Sequence, residues 1–408
     1  MPLTRRQIYR RRRIVVLGGG AVALASAFYL PVTLLAPLPE LSAHPVAYEA
    51  PAPEQPVIDF PAYGASGIGA VGYEGVLASN GVTTPLPIAS ISKVVTALVV
   101  LDAHPLAPGE SGPDIVFTDA DVAFYEQQLA NDGIVADVTP GQAISQLNLL
   151  TVMLMKSANN YGQTLAAWAF GSESAYVDAA RGWLAAHGLT STSINDATGM
   201  NPANTSTVSD LIALGKLALD NPVIATAVST STLDVPGLGV VDNRNGLLGI
   251  DGVDGIKTGT LDESGACLLF AADHVIGGEN VTLVGVVLGG PDHPTINAAI
   301  QGLITQADAG FREVELVADG QEFAEYDSPW GDEATAVAAE SRSIVVWADT
   351  PVSVQVTTDE VRLATSGTRV GQLTFTIGNR TVVVPLELVG EIDDPGAWWR
   401  LTNPAELF

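Results

Sequence analysis

An α/β domain with a mostly antiparallel sheet, followed by a small all-β domain and preceded by an N-terminal transmembrane helix, is the fold class the sequence predicts. Three observations carry it: an uncharged run of 23 residues near the start, a middle stretch in which strand-like segments flank helical ones, and a final stretch of short alternating segments divided by turns. With 408 residues, 47% of them hydrophobic, the chain has room for two domains and a sizeable core.

The first 13 residues carry six arginines, in "RRQIYRRRR", and form a basic segment expected to stay in the cytoplasm. Residues 14–36, "IVVLGGGAVALASAFYLPVTLLA", are uncharged and long enough to span a bilayer as a helix, which places the rest of the chain outside the cytoplasm as a single-pass protein. Ala23 and Ala25 offer a small-residue cleavage site, but the apolar run continues ten residues beyond it, so an uncleaved signal anchor is preferred over a secreted form. "LGGGAVA" lacks the βαβ unit and the downstream acidic residue of a dinucleotide loop. Residues 37–61 hold seven prolines and read as an extended tether. The formal charge of −27 argues against nucleic acid as a partner, and solubility accounts for it without any partner.

Residues 62–312 follow as the main domain. "GAVGYEGVLAS" reads as a strand pair turning at its glycines, and "SISKVVTALVVLDAH" as a helix apolar nearly all round, hence central. "GQAISQLNLLTVMLMKSANNYGQTLAAWAF" gives two helices broken near Ser157, and "SAYVDAARGWLAAHGL" and "VSDLIALGKLAL" two more. "GIKTGT", "GACLLFAAD" and "NVTLVGVVLGG" are strands, with the lone Cys267 filling a strand core, and "HPTINAAIQGLITQADAGF" is a closing helix. In residues 313–408, "SIVVWAD", "VSVQVTTD", "VRLAT", "QLTFTI" and "TVVVPLELV" read as strands, with Gly378-Asn379 at a hairpin turn. Trp398 and Trp399, in a tail too short and acidic for a membrane helix, are expected to pack against this β domain.

The chain has only four lysines, and two of them stand in chemically suggestive places. Ser90 and Lys93 lie three apart on one helix face; an amine desolvated among apolar neighbours can take a serine's proton, although an N-cap serine beside a snorkelling lysine fits the same spacing. Ser157 and Asn159 sit at a helix break, where they can face a cleft or simply form a polar turn. In "GIKTGT", Lys257 and Thr258 suit a carboxylate ligand, Gly259 allows close backbone approach, and Thr260 follows; a strand start with a solvated lysine is the alternative.

In that order, S-x-x-K, S-x-N and K-T-G are separated by 67 residues from Ser90 to Ser157 and 100 from Ser157 to Lys257, and they form the signature of penicillin-recognising serine enzymes. Together with "PIASISKVVTALVVLD", "DATGMNPANTSTVSDL" and "NRNGLLG…GVDGIKTGT", the chain resembles the low-molecular-mass penicillin-binding proteins of the D-alanyl-D-alanine carboxypeptidase type over about residues 60–305. The resemblance implies a serine β-lactamase/transpeptidase-like domain with a helical subdomain. It implies Ser90 as acylated nucleophile, Lys93 as its base, Ser157 as proton shuttle, Asn159 as a peptide holder, and Lys257 and Thr258 as carboxylate binders. Backbone N–H groups of Ser90 and Thr260 would form the oxyanion hole. No metal or cofactor is implied; the partners would be the peptidoglycan stem peptide and, as covalent inhibitors, β-lactams.

Asn160, where the family often has aspartate, and Leu261, where a second threonine is common, depart from its pattern. Many relatives anchor through a C-terminal amphipathic helix, a job the N-terminal segment would do here. A class A β-lactamase would add E-x-x-x-N between the second and third motifs, but the glutamate there, Glu173, is followed at that spacing by Val177. A D,D-endopeptidase, or a catalytically weak relative that binds wall proteins, shares these residues. The five histidines fall in none of the motifs, against a Ser-His-Asp hydrolase.

Overall fold

A computed structural model describes residues 5–48, 50, 56–348 and 350–408. Residues 1–4 of the basic segment, residues 49 and 51–55 of the expected tether, and Asp349 of an expected strand lie outside the described residues. The chain divides into two units, residues 53–313 with 345–349, and residues 1–52 with 314–344 and 350–408. It begins with helix α1 (Arg5–Leu34), long and apolar enough to cross a membrane, with none of its apolar window buried.

The larger unit is built on one antiparallel sheet of five strands, β1 (Ala65–Ala70), β2 (Ala78–Gly81), β3 (Val253–Leu261), β4 (Gly265–Ile276) and β5 (Glu279–Gly290), in the order β3-β4-β5-β1-β2. Alternate residues of β4 serve opposite faces, as a period of two requires. Leu268, Phe270 and Ala272 join Ile296, Ile300 and Leu303 of α9 (His293–Gly310) in one cluster, while Cys267, Leu269 and Ala271 belong to the cluster that holds the other helices. Covered on both sides, β4 therefore reads as the unbroken apolar run "ACLLFAA".

The remaining helices of this unit are α2 (Ser92–Ala103), α3 (Asp119–Ala130), α4 (Gln146–Lys156), α5 (Asn159–Phe170), α6 (Glu173–Ala186), α7 (Val208–Asp220) and α8 (Pro222–Ser229). Ser92 through Leu101 of α2 are all buried, which makes it the central helix. Helix α7 lies directly on the sheet because Gly215 has no side chain: a Cβ there would come within 2.6 Å of Val284 Cγ1. Helices α3 and α8 have no counterpart in the sequence reading. The first is mostly polar, held by a Thr118–Asp121 capping box, and the second is one short segment started by the Asn221 cap and Pro222.

In the smaller unit, α10 (Gly396–Thr402) follows an antiparallel sheet of β6 (Glu322–Asp327), β7 (Glu333–Ala338), β8 (Val352–Thr358), β9 (Arg369–Ile377) and β10 (Arg380–Gly390). Gly378 turns β9 into β10 at φ +56°, where the Gly-Asn pair was expected to turn. Two expectations differ from the structure here. "VRLAT" is not a strand; only single bridges form, Leu41 to Val361 and Ala364 to Ile392. Residues 36–46 are no free tether: Ala36, Leu38 and Leu41 are buried, and His44 and Pro45 extend the sheet beside Glu325 and Ala324 of β6. A proline tolerates that place because an edge strand leaves its nitrogen unpaired.

The fold is thus the α/β domain with a mostly antiparallel sheet, a helical part and an all-β second part, behind one apolar N-terminal helix, that the sequence predicts.

Candidate active site

Ser90 lies in a single 3-10 turn, Ala89–Ile91, that runs straight into α2. The turn is gripped from two sides by glycines. On the edge strand β3, a Cβ at Gly259 would sit 2.9 Å from Ile88 O and 3.3 Å from the Ser90 nitrogen. On the opposite side Gly199, at φ +85°, approaches so closely that a Cβ would overlap the Ala89 carbonyl. Ala89 itself is held at φ +46°, a left-handed conformation that a residue with a Cβ adopts at a cost.

One turn on, the Lys93 side chain is wholly buried. Its Nζ is 2.9 Å from Ser90 Oγ, donates to Asn159 Oδ1 at 2.7 Å, and contacts the Thr198 carbonyl. Burial lowers its pKa from the ordinary lysine value to about 7, against a smaller opposing effect from Asp196. Asp196 in turn organises the "DATGMNP" loop, accepting from the backbone N–H groups of Thr198, Gly199 and Asn201. That loop therefore delivers both the Thr198 carbonyl and Gly199.

Helix α4 ends at Ser157, which takes a left-handed conformation at φ +64° and lets the chain turn into α5. Ser157 is 2% exposed, and its Oγ has no hydrogen-bond partner among the described residues. A buried hydroxyl left unpaired in a strained backbone is costly unless something arrives to use it. Asn159, at the start of α5, is committed at both ends of its amide: Oδ1 accepts from Lys93, and Nδ2 donates to Gln128 Oε1 at 3.1 Å. Asn160 bonds both the N–H and the carbonyl of Ala136 and so ties a loop to α5.

Lys257 is 2% exposed; its Nζ donates to the Thr258 carbonyl at 3.0 Å and more weakly to Thr258 Oγ1 at 3.4 Å. Its pKa falls well below the ordinary lysine range because of burial first, then the neighbouring Lys93 and Arg244. No carboxylate pairs with Lys257 among the described residues, so the site is electropositive and suited to an anionic ligand group. Thr260 Oγ1 lies 2.8 Å from Nε2 of His293, the first residue of α9. Burial and then the nearby Arg244 and Lys257 lower the His293 pKa.

The structure thus brings Ser90, Lys93, Asn159, Lys257 and Gly259 together around the free edge of β3 and the turn before α2, with Thr258 and Thr260 flanking Gly259 on β3 and Ser157 at the helix break two residues before Asn159. The sequence reading passed over Gln128, Asp196, Thr198, Gly199, Arg244 and His293. An Asp-x-x-Gly pair in "DATGMNP" is the signal for the loop, whereas nothing near His293 in sequence marks its meeting with Thr260. Glu173 accepts from the Ala197 N–H at 3.1 Å and so braces this loop from behind.

The family model described as D-alanyl-D-alanine carboxypeptidase matches residues 72–292, just over half of the chain and every motif residue from Ser90 to Thr260, with His293 one residue beyond it. The chain belongs to that family. It is thus of the D-alanyl-D-alanine carboxypeptidase type that the motifs indicate. Among curated relatives, it is 30% identical over 221 residues to the D-alanyl-D-alanine endopeptidase of Escherichia coli K12, covering 51% of this chain and 66% of the relative. It is 26% identical over 248 residues to the D-alanyl-D-alanine carboxypeptidase DacA of the same organism, 60% of each chain. The match thus spans less than two thirds of either relative's length. Among solved structures, penicillin binding protein 5 from Haemophilus influenzae superposes with a TM-score of 0.58 at 19% identity over 85% of this chain and 100% of its own. A peptidoglycan synthesis regulatory factor, PBP3, from Streptococcus pneumoniae gives 0.58 at 20% identity over 83% of this chain and 100% of its own. At those identities the two structures establish the fold.

Proposed function

We propose that the protein is a membrane-anchored, extracytoplasmic serine carboxypeptidase that removes the terminal D-alanine from peptidoglycan stem peptides through an acyl-enzyme on Ser90. The observation that carries this reading is the contact of Lys93 Nζ with Ser90 Oγ at 2.9 Å in a place dry enough to bring the amine to about pKa 7. As a neutral amine, Lys93 keeps its two N–H donors for Asn159 Oδ1 and the Thr198 carbonyl, and its lone pair faces the Ser90 hydroxyl.

In this reading Ser90 Oγ attacks the carbonyl carbon of the penultimate D-alanine while Lys93 takes the hydroxyl proton. The backbone N–H groups of Ser90 and Thr260 receive the oxyanion. The C–N bond then breaks as Ser157, whose Oγ has no partner to give up, gives its proton to the departing amine and takes in its place the proton held on Lys93, which returns to the neutral amine. Water hydrolyses the ester and restores Ser90. Lys257 and Thr258 bind the terminal carboxylate, an anion that offsets the unpaired positive charge of the site. Asn159 acts first by orienting Lys93; to hold a peptide as well, its Nδ2 would exchange Gln128 for a substrate carbonyl. β-Lactams, which carry a carboxylate beside a strained amide, would acylate the same serine. Helix α1 supplies the anchor, with its arginines on the cytoplasmic side.

Cleavage of cross-links is the second reading, favoured by the likeness to the Escherichia coli endopeptidase. Both uses share every residue above and differ in what the cleft admits. The test is to incubate the detergent-solubilised full chain with a synthetic pentapeptide ending in D-alanyl-D-alanine and with a cross-linked muropeptide dimer. Release of free D-alanine from the pentapeptide in excess of dimer cleavage supports the carboxypeptidase; dimer cleavage alone would replace it with the endopeptidase.

A further inference from the structure

Asn159 can meet Lys93 with either end of its amide, and the two ends have opposite effects on the amine. With Oδ1 toward Nζ, the amide accepts an N–H, and the lone pair of the neutral amine stays free for Ser90. With Nδ2 toward Nζ, the amide donates and occupies that lone pair. The two ends fill nearly the same space, so packing alone does not choose between them.

A row of hydrogen bonds makes the choice. Lys93 Nζ donates to Asn159 Oδ1 at 2.7 Å, Asn159 Nδ2 donates to Gln128 Oε1 at 3.1 Å, and Gln128 Nε2 donates to Gln163 Oε1 at 2.9 Å. Turning Asn159 over would set its oxygen against that of Gln128; turning Gln128 over would set N–H against N–H on one side and oxygen against oxygen on the other. The row is dry: Lys93 is wholly buried, Asn159 is 2% exposed, and Gln128 and Gln163 are each 5% exposed. A reversed amide would therefore leave buried donors and acceptors unpaired.

Three elements hold the row. Asn159 and Gln163 are four apart on α5 and share a face, and Gln128 reaches them from the last turn of α3. The buried residues of α3 are Asp121 and Gln128; Asp121 caps its own helix and accepts from Thr164, while Gln128 commits its side chain to the row. The turn after α3 closes over the middle bond. Gly133 N–H donates to the Gln128 carbonyl at 2.8 Å, the Asn159 N–H donates to the Ile134 carbonyl at 2.7 Å, and a Cβ at Gly133 would come within 2.7 Å of Asn159 Nδ2.

We propose that Gln128 and Gln163 are positioning residues for acylation: they set the direction of the Asn159 amide, so that Lys93 donates to it and keeps its lone pair on the Ser90 hydroxyl. This rests on reading Lys93 as the base. The direction survives substrate binding, because a peptide carbonyl that displaces Gln128 Oε1 is again an acceptor for Nδ2. The charged groups around the row are Asp196, which favours the Lys93 ammonium, Lys257, which opposes it, and Glu173, which borders the same polar cavity as the two glutamines. All three stay in place when Gln128 is changed.

The test follows stopped-flow acylation by a chromogenic β-lactam against pH for the detergent-solubilised full chain and for Gln128→Met, Gln128→Glu and Gln163→Met, each beside a thermal melt. Methionine matches glutamine in length but offers Nδ2 no oxygen. Asn159 then turns its N–H to the Lys93 lone pair, and the ammonium loses an acceptor. Gln128→Met should lower the plateau rate at least about tenfold and move the acid limb to lower pH. Gln128→Glu keeps an oxygen for Nδ2 and should hold the plateau within about threefold of the parent. A merely structural role for Gln128 gives the reverse order, since a buried methionine is tolerated better than a buried glutamate. Gln163→Met, one bond farther from Lys93, should lower the plateau about threefold, and it decides the matter if Gln128→Met does not fold. An acid limb in the parent, with plateau and limb unchanged in the folded methionine variants or with Gln128→Glu falling as far as Gln128→Met, would overturn the proposal alone. A parent rate with no acid limb would remove Lys93 as the base and the proposal with it.

Discussion

Lys93 shows how one residue's surroundings decide its chemistry. Moving a lysine from its ordinary pKa to about 7 favours the neutral amine by roughly 5 kcal/mol, and burial dominates, since the carboxylate of Asp196 acts in the opposite sense and loses. A snorkelling lysine would have kept its charge in water; this one is wholly buried, which excludes that reading of the S-x-x-K spacing. The sign of the pH dependence follows. Below about pH 7 Lys93 is protonated and has no lone pair for the Ser90 proton; above it the neutral amine can accept. The acylation rate of Ser90 should therefore fall about tenfold for each pH unit below about 6.5 and level off above about 7.5, and Lys93→Ala should lower the plateau rate about 10²–10⁴-fold, with the gap closing as the parent rate falls at acid pH. Stopped-flow acylation by a chromogenic β-lactam measures this, and a rate flat across the same range would remove Lys93 as the base.

At the scale of elements, the site exists because an edge strand, a helix start and a loop can approach one another without side chains in the way. Gly259 is the clearest case, since a methyl group there meets the Ile88 carbonyl at 2.9 Å and the Ser90 nitrogen at 3.3 Å. Gly259→Ala should push β3 off the Ser90 turn by a few tenths of an ångström and lower acylation at least tenfold, at a modest stability cost of about 1 kcal/mol. A chromogenic β-lactam assay beside a thermal melt separates the two effects; unchanged acylation would show that the approach is not needed. These elements were legible to different degrees, for physical reasons. The helix break at Ser157 and the strands from "GIKTGT" to "NVTLVGVVLGG" announced themselves through polar residues at a turn and through apolar runs bounded by glycine. Helix α3 was missed because "DADVAFYEQQLA" has little amphipathic contrast, and β6 and β7 because short strands of mixed polarity look like loops until the sheet closes around them. Thr198 and Gly199 come with a loop that the Asp-x-x-Gly pair marks locally, whereas His293 meets Thr260 through folding alone, 33 residues on, where no local pattern encodes it.

Over the whole molecule, the chain is less linear than its sequence suggests. The segment after α1, expected to be a tether, joins the β-rich unit through Leu41, His44 and Pro45, so that unit contains the N-terminal helix as well as the C-terminus. Proline-rich composition foretold an extended backbone, but an extended backbone can equally add to a sheet edge, and only the structure distinguishes the two. The chain is acidic as a whole, whereas the candidate site holds Lys257 with Arg244 close by. An overall charge of −27 therefore coexists with a pocket that favours a carboxylate. The central claim is that Ser90 is the nucleophile, and intact-mass spectrometry of the full chain after exposure to benzylpenicillin, beside Ser90→Ala, tests it most directly. The account predicts one covalent penicilloyl adduct on the parent protein and none on the variant, whereas an adduct that persists in Ser90→Ala, or none on a folded parent protein, would contradict it.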